Sequence, residues 1–214
     1  MKKTFICYTL ALFLLGCSSS RPGTNNDKGW VPIFDGRTLN WWKASENPAT
    51  FKVENGALVV EGPRAHLFYD GPVSNHNFKN FEFKAQVMTT PGSNSGMYIH
   101  TQYQENGWPA KGYEIQVNNS HSDWRRTGSL YAIDDVRDKL VNDNEWFTQH
   151  IIVKDKHITI LVNGKQVVDY TEPNNLQRSG DMAGRALSSG TVAIQGHDPK
   201  SKVYFKDIMI KPLD

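Results

Sequence analysis

From Trp30 onward, apolar and polar residues alternate with a period of two through most of the chain. Phe81, Phe83, Ala85 and Val87 are interleaved with Glu82, Lys84 and Gln86, as in a strand with one face on a core. Short runs of the same kind recur at Phe51–Val60, Leu67–Tyr69, Trp146–Lys154, His157–Val162, Lys165–Tyr170, Thr191–Gly196 and Lys202–Lys211. Asn55-Gly56 and Asn163-Gly164 split two of these stretches into hairpins, because Asn-Gly adopts the tight turn whose twist matches paired strands. The spacing predicts about eleven to thirteen short strands and no helix, hence an all-β sandwich or closed barrel. Two long segments break the pattern, Ser120–Val141 and Thr171–Ser189. Connections of that length are uncommon unless they serve a site, so the first is read as a loop folded over a cleft, interrupted by a short strand at Gly128–Ala132.

The centre of the pattern is Asn94–Asn118, with strands expected at Met97–Gln102 and Gly112–Asn118. Strict alternation puts Tyr98, His100 and Gln102 on one face of the first, opposite Met97 and Ile99. In the second it puts Glu114, Gln116 and Asn118 opposite Tyr113, Ile115 and Val117. Both apolar faces suit a core. Both polar faces are dense in groups that hold or attack a polar ligand, and they are expected to line one cleft. The competing reading is the solvated outer face of an antiparallel sheet.

Composition narrows the setting. The 214 residues carry 24 Lys+Arg against 22 Asp+Glu. Residues 1–16 read as a secretory leader: Lys2-Lys3, then an apolar run from Phe5 to Leu15, too short for a stable membrane span. Without Lys2 and Lys3 the balance is 22 against 22, which gives no reason to expect nucleic acid as a partner. Leu14-Leu15-Gly16-Cys17 matches a bacterial lipoprotein signal, so Cys17 is the expected lipidation site and 17–28 a flexible linker. Ser18 after that cysteine favours the outer membrane, and the expected location is the cell envelope, held by a lipid anchor. Cys7 lies in the leader, which leaves no disulfide and no cysteine metal site in the mature chain. One domain spanning 29–214 is the economical organisation.

The order of motifs then becomes recognisable. FDGRTLNWW, SNSGMYIH, GYEIQVNN, Gly128–Tyr131, Trp146 before a strand, LVNGKQV and a final AIQGH…VYFKDIMIKPL together resemble the bacterial 3-keto-disaccharide hydrolase family, from about Trp30 to Leu213. Three positions depart from that family's pattern: His100 stands where Arg is usual, Asn118 near a usual Asp, and Phe147 where Asn is usual. The resemblance implies a concanavalin A-like jelly roll acting on a glycoside whose C3 hydroxyl has been oxidised to a ketone. A separate sugar 3-dehydrogenase must supply that ketone, since no dinucleotide motif is present.

A 3-keto sugar has an acidic C2–H. Its removal lets the aglycone leave from C1, so the carboxylate pair of ordinary glycosidases is not needed. Glu114 is the first choice of base. His100, His197 and Tyr131 complete the expected catalytic set. Gln116, Asn118, Gln195, Trp124 and Tyr98 are expected to bind substrate by hydrogen bonds and stacking. His100, Glu114 and His197 would also form a two-histidine, one-carboxylate set for a divalent metal. The Asp134-Asp135 loop is read as a solvated charge cluster, with calcium binding as the alternative. Two further readings of the chain are a non-catalytic, lectin-like carbohydrate-binding lipoprotein and a structural envelope lipoprotein.

Overall fold

The computed structural model describes residues 28–214; the leader, Cys17 and the linker up to residue 27 lie outside the described residues. Thirteen strands form two antiparallel sheets. They are β1 Val31–Pro32, β2 Trp42–Ala44, β3 Phe51–Glu54, β4 Ala57–Glu61, β5 Ala65–Tyr69, β6 Phe81–Thr89, β7 Ser95–Thr101, β8 Tyr113–Val117, β9 Phe147–Lys154, β10 His157–Val162, β11 Lys165–Thr171, β12 Thr191–Gly196 and β13 Lys202–Pro212. The larger sheet runs β11-β10-β9-β6-β13-β4-β3, with β1 also on β13; the smaller runs β2-β5-β12-β7-β8. Sequence neighbours repeatedly fall in different sheets, so the result is a jelly-roll β-sandwich, as the spacing and the resemblance imply. Short 3-10 turns are the only helical pieces among the described residues.

The core lies between the sheets. Phe81, Phe83, Ala85 and Val87 of β6 all face it with 0–1% exposure, and Met97, Ile99, Tyr113, Ile115, Val117, Val192 and Ile194 meet them from the other sheet. In β13 the alternation would fail after Phe205, but Asp207, at φ 49°, is an extra residue in the strand. That bulge keeps Ile208 and Ile210 on the core side.

The smaller sheet is buried on both faces: every residue of β5, β7, β8 and β12 is buried. Loops 102–112, 120–137 and 172–190 supply the cover. The 120–137 loop adds a short ladder to the edge of β8, where Tyr131 N–H donates to Glu114 O and Gly128 N–H to Gln116 O. The expected strand near Gly128–Ala132 is this ladder. The outer face is therefore roofed, and the solvated-face reading does not hold.

Two expected cleft residues are structural instead. His100 has φ 52° and sits where β7 holds one residue more than β12 across from it. The bulge turns its ring to 5.5 Å from Phe81. Its Nδ1 accepts Ser188 N–H at 3.2 Å and its Nε2 lies 2.8 Å from Lys79 O. Both nitrogens are thus engaged by backbone groups, and the ring takes no part in lining the cleft described below. Asn118 is fully buried and anchors the long loop: Nδ2 donates to Asp123 O and Arg125 O, while Oδ1 accepts from His121 N–H and Arg126 Nη1. Removing that amide leaves buried backbone groups unpaired, at about 1–3 kcal/mol each. Asn118→Ala is expected to lower stability by about 2 kcal/mol or more and to open residues 120–137 to limited proteolysis, read by urea unfolding and peptide mapping.

Candidate active site

On the outer face of the smaller sheet lies a cleft of about 540 Å³. Its floor comes from adjacent strands in register: Tyr98 of β7 is paired with Glu114 of β8, and Gly96 with Gln116. Gln195 of β12 joins them. Gly96 belongs to the floor through what it lacks. A Cβ there would stand 2.8 Å from Glu114 Oε1 and 3.0 Å from its Cγ, so the bare backbone makes room for the carboxylate. Trp108 enters from loop 102–112, Tyr131 from 120–137, and Met182 and Arg185 from 172–190. Asn94 and His197 also line the cleft.

Glu114 is 6% exposed. Its Oε2 accepts the Tyr98 hydroxyl at 2.7 Å and its Oε1 accepts Gln195 Nε2 at 2.8 Å. Burial pushes the carboxyl above the usual range, against the opposing pull of Tyr98, the Arg185 charge and Gln195. The Tyr98 phenol is in turn held well above its ordinary value by burial and by that carboxylate. Arg185 is nearly buried, with its guanidinium 5.6 Å from the Tyr98 ring and Nη1 3.4 Å from Gly112 O.

Several buried polar atoms around the cleft have no protein partner: both amide atoms of Gln116, Gln195 Oε1, Arg185 Nε and Asn94 Oδ1. Buried groups are ordinarily paired. A run of orphans converging on one hollow leaves donors and acceptors that a polar ligand would complete. His66 lies beside this floor on the same face, paired with Gln195 across β5 and β12. Its ring is 5.3 Å from Tyr98 and 5.6 Å from Trp108, and burial drives its pKa down to about 3, so it is neutral.

A second group sits at one end. His121, His197 and Asp198 each offer a ligand atom, all within 4.8 Å of one another. His197 Nδ1 is 2.8 Å from Asp198 Oδ2, which also accepts Ser201 Oγ at 2.8 Å. With the Nδ1 hydrogen given to Asp198, the Nε2 lone pair of His197 would face a cation. Asn94 Nδ2 lies 3.4 Å from His121 Nδ1.

Of the expected residues, Tyr98, Glu114, Gln116, Tyr131, Gln195 and His197 do share this cleft, whereas His100 and Asn118 do not. The set His100, Glu114, His197 is thus not assembled as a metal site, whereas His121, His197 and Asp198 do lie together. Trp124 is also outside the cleft lining. Its ring carries the guanidiniums of Arg125 at 4.6 Å and Arg137 at 4.1 Å, and Arg125 lies 4.7 Å from the Tyr131 ring. This ladder of cations and aromatics braces Tyr131, and places Trp124 beside the cleft lining instead of in it. Arg185, Trp108, His121 and Asp198 were not legible as site residues, since each sits in an irregular loop with no periodic neighbour.

A two-sheet β-sandwich whose smaller sheet carries a polar cleft is of the concanavalin- and galectin-like class. Residues 29–211 match the 3-keto-alpha-glucoside-1,2-lyase-like domain, and the chain belongs to that family. It is 26% identical over 169 residues to the 3-keto-disaccharide hydrolase of Bacteroides thetaiotaomicron, an alignment covering 66% of this chain and 58% of that protein. A solved structure from Parabacteroides distasonis, named as a candidate glycosyl hydrolase, aligns with TM-score 0.73 at 26% identity, over 90% of this chain and 99% of that one. A carbohydrate-binding module of Bacillus subtilis shares the fold alone, with TM-score 0.54 at 9% identity, over 86% of this chain and 95% of the module.

The raised carboxyl of Glu114 has a consequence for stability. A folded-state pKa above the unfolded value stabilises the fold fully below that unfolded value, 4.5, and the contribution is lost as pH rises through the raised one. Glu114→Gln is therefore expected to melt at or above the wild-type temperature at neutral pH, with the difference shrinking toward pH 4, read from paired thermal melts.

Proposed function

We propose that this protein is a carbohydrate-active enzyme that cleaves 3-keto-glycosides by proton abstraction at C2 and elimination of the aglycone. The observation that carries the reading is Glu114, a buried carboxylate at the floor of a cleft where the Gln116 amide, Gln195 Oε1, Arg185 Nε and Asn94 Oδ1 lack protein partners. Family membership supports the substrate class.

In this reading Glu114 takes the C2 proton. The C2–H electrons form the C2=C3 bond of an enolate, and the ketone π electrons move to the C3 oxygen. A raised carboxyl pKa suits a base for a weak carbon acid. The nearly buried charge of Arg185 would offset the negative charge of the enolate. When the C3 carbonyl re-forms, C1=C2 forms and the C1–O bond breaks, and the leaving oxygen takes a proton. Tyr131, whose phenol burial holds above its ordinary value, is the proposed donor. Addition of water across C1=C2, hydroxyl to C1 and hydrogen to C2, would complete net hydrolysis; without it the protein is a lyase. Gln116 and Gln195 would hold sugar hydroxyls.

His121, His197 and Asp198 fit a divalent metal, because two imidazoles and a carboxylate suit borderline transition ions and the orphaned Asn94 Oδ1 adds a fourth donor nearby. When bound, such an ion would supply Lewis-acid polarisation of a substrate oxygen. A ketone-bearing substrate would come from a separate sugar 3-dehydrogenase. The leader and Cys17 support a lipid-anchored enzyme of the cell envelope, with the outer membrane favoured.

One observation favours a second reading, a non-catalytic sugar-binding lipoprotein: both oxygens of Glu114 already accept hydrogen bonds, from Tyr98 and Gln195. Turnover separates the two. With 3-keto-trehalose or a chromogenic 3-keto-glucoside, the wild type is expected to release aglycone, and Glu114→Gln to lose that by about a hundredfold or more while still binding the sugar. If wild-type protein binds but never releases aglycone, with or without added metal, the enzyme reading fails. Asp198→Asn is expected to lower Mn²⁺ or Zn²⁺ uptake measured by calorimetry, whatever its effect on turnover.

A further inference from the structure

A second hollow, of about 360 Å³, lies on the same roofed face and has no part in the chemistry above. Its position is fixed by the strand register. Phe68 of β5 is paired with Ala193 of β12, and Ala193 with Tyr98 of β7. These three side chains form one small apolar cluster apart from the main core. Tyr98 lines the first cleft and Phe68 the second. Thr101 lies three residues beyond Tyr98 on β7 and lines the second hollow, so about 10 Å along the strand separates the two floors, a distance that a short oligosaccharide spans.

Loop 102–112 stands between them. Tyr103 faces the second hollow, its ring 5.4 Å from Phe68, whereas Gln104 and Trp108 face the first. The wall is braced from within. Gln104 accepts Ala110 N–H and donates to the carbonyls of Asn106 and Trp108, and Lys111 Nζ reaches Ser189 O at 2.8 Å.

Three features point to a ligand. The Thr101 hydroxyl, in a residue with 0% exposure that lines the hollow, has no partner. Such a group is destabilising unless something completes its bonding. Ser74, Asn75 and His76 are consecutive non-glycine residues with φ of 49°, 51° and 45°, and the last two line the hollow. Left-handed backbone of this kind collects where ligands are held. Tyr103 is 38% exposed and offers an aromatic surface beside amide side chains, Asn75 among them. The lining carries two lysines, Lys43 on the Tyr103 ring at 3.7 Å and Lys111, against Asp70, which lies 3.6 Å from His76. An aromatic face next to mixed donors and acceptors, without a strong net charge, suits a neutral sugar ring.

We propose that this hollow is a second saccharide subsite, which holds a non-reacting sugar of the glycan whose reacting ring occupies the first cleft. The assignment rests on the proposed reading of that cleft, and it makes chain length a determinant of specificity.

The test uses binding of unoxidised sugars, so it does not depend on turnover. Maltose and maltotriose, and cellobiose and cellotriose, are titrated into the wild-type protein, Thr101→Val and Tyr103→Ala by calorimetry. The wild type is expected to bind the trisaccharide of at least one pair about tenfold more tightly than the disaccharide. Both variants should lose that difference and keep the disaccharide affinity. Thr101→Val should also raise the melting temperature, because it removes an unpaired buried hydroxyl, so loss of the length preference with gained stability separates ligand binding from misfolding. Equal affinity for the two lengths in the wild type, no binding of either, or a preference untouched in both variants overturns the proposal. Failure of aglycone release with the length preference intact would count against the elimination chemistry alone.

Discussion

A carboxylate withdrawn from water is the constraint on which the outer face of the smaller sheet depends. Burial disfavours its charge, and the surroundings offset part of that penalty without abolishing it. Tyr98 and Gln195 each give Glu114 one hydrogen bond. Arg185 brings a positive charge from a loop far along the sequence. Gly96 leaves the space in which the carboxylate lies. None of these residues is a sequence neighbour of Glu114. They meet because β8, β7 and β12 are adjacent in that order. The cleft is thus a product of sheet topology first and of loop conformation second.

That division explains what could be read from the sequence. The strands were legible because period-two alternation and Asn-Gly turns are local signals, and those signals survive in β6, in the β3–β4 hairpin and in the β10–β11 hairpin. Tyr98, Glu114, Gln116 and Gln195 were legible for the same reason, each being a polar residue at a fixed parity in a strand. Parity failed where a strand carries an extra residue. At His100 a bulge turned a side chain expected in the cleft toward Phe81, and alternation alone gives no warning of that. Asn118 follows the expected parity at the end of β8, yet the adjoining loop consumes its amide. Arg185 and Trp108 lie in segments with no period, so only the assembled fold brings them to the site.

Loops are unusually prominent in this sandwich. They roof a sheet face that would otherwise meet solvent, and in doing so they turn a flat surface into two hollows separated by one wall. The 120–137 loop is held from below by Asn118 and from the side by the Arg137, Trp124, Arg125 ladder, which gives Tyr131 a fixed place above Glu114. Preorganisation of this kind lets a few polar groups act on a small ligand without reorganising at the moment of reaction. The family relationship supports a carbohydrate-active role for such a site, and the enclosed carboxylate is the group on which the proposed elimination rests.

The central claim is that bond cleavage begins at C2. It is tested most directly with a 3-keto-glucoside deuterated at C2, by following the isotope in the released sugar by mass spectrometry alongside the rate of release. Elimination started by Glu114 predicts slower turnover of the deuterated substrate and loss of deuterium to solvent. Cleavage with the deuterium fully retained at C2 and no isotope effect would contradict the account, since the C2–H bond would then never have been broken.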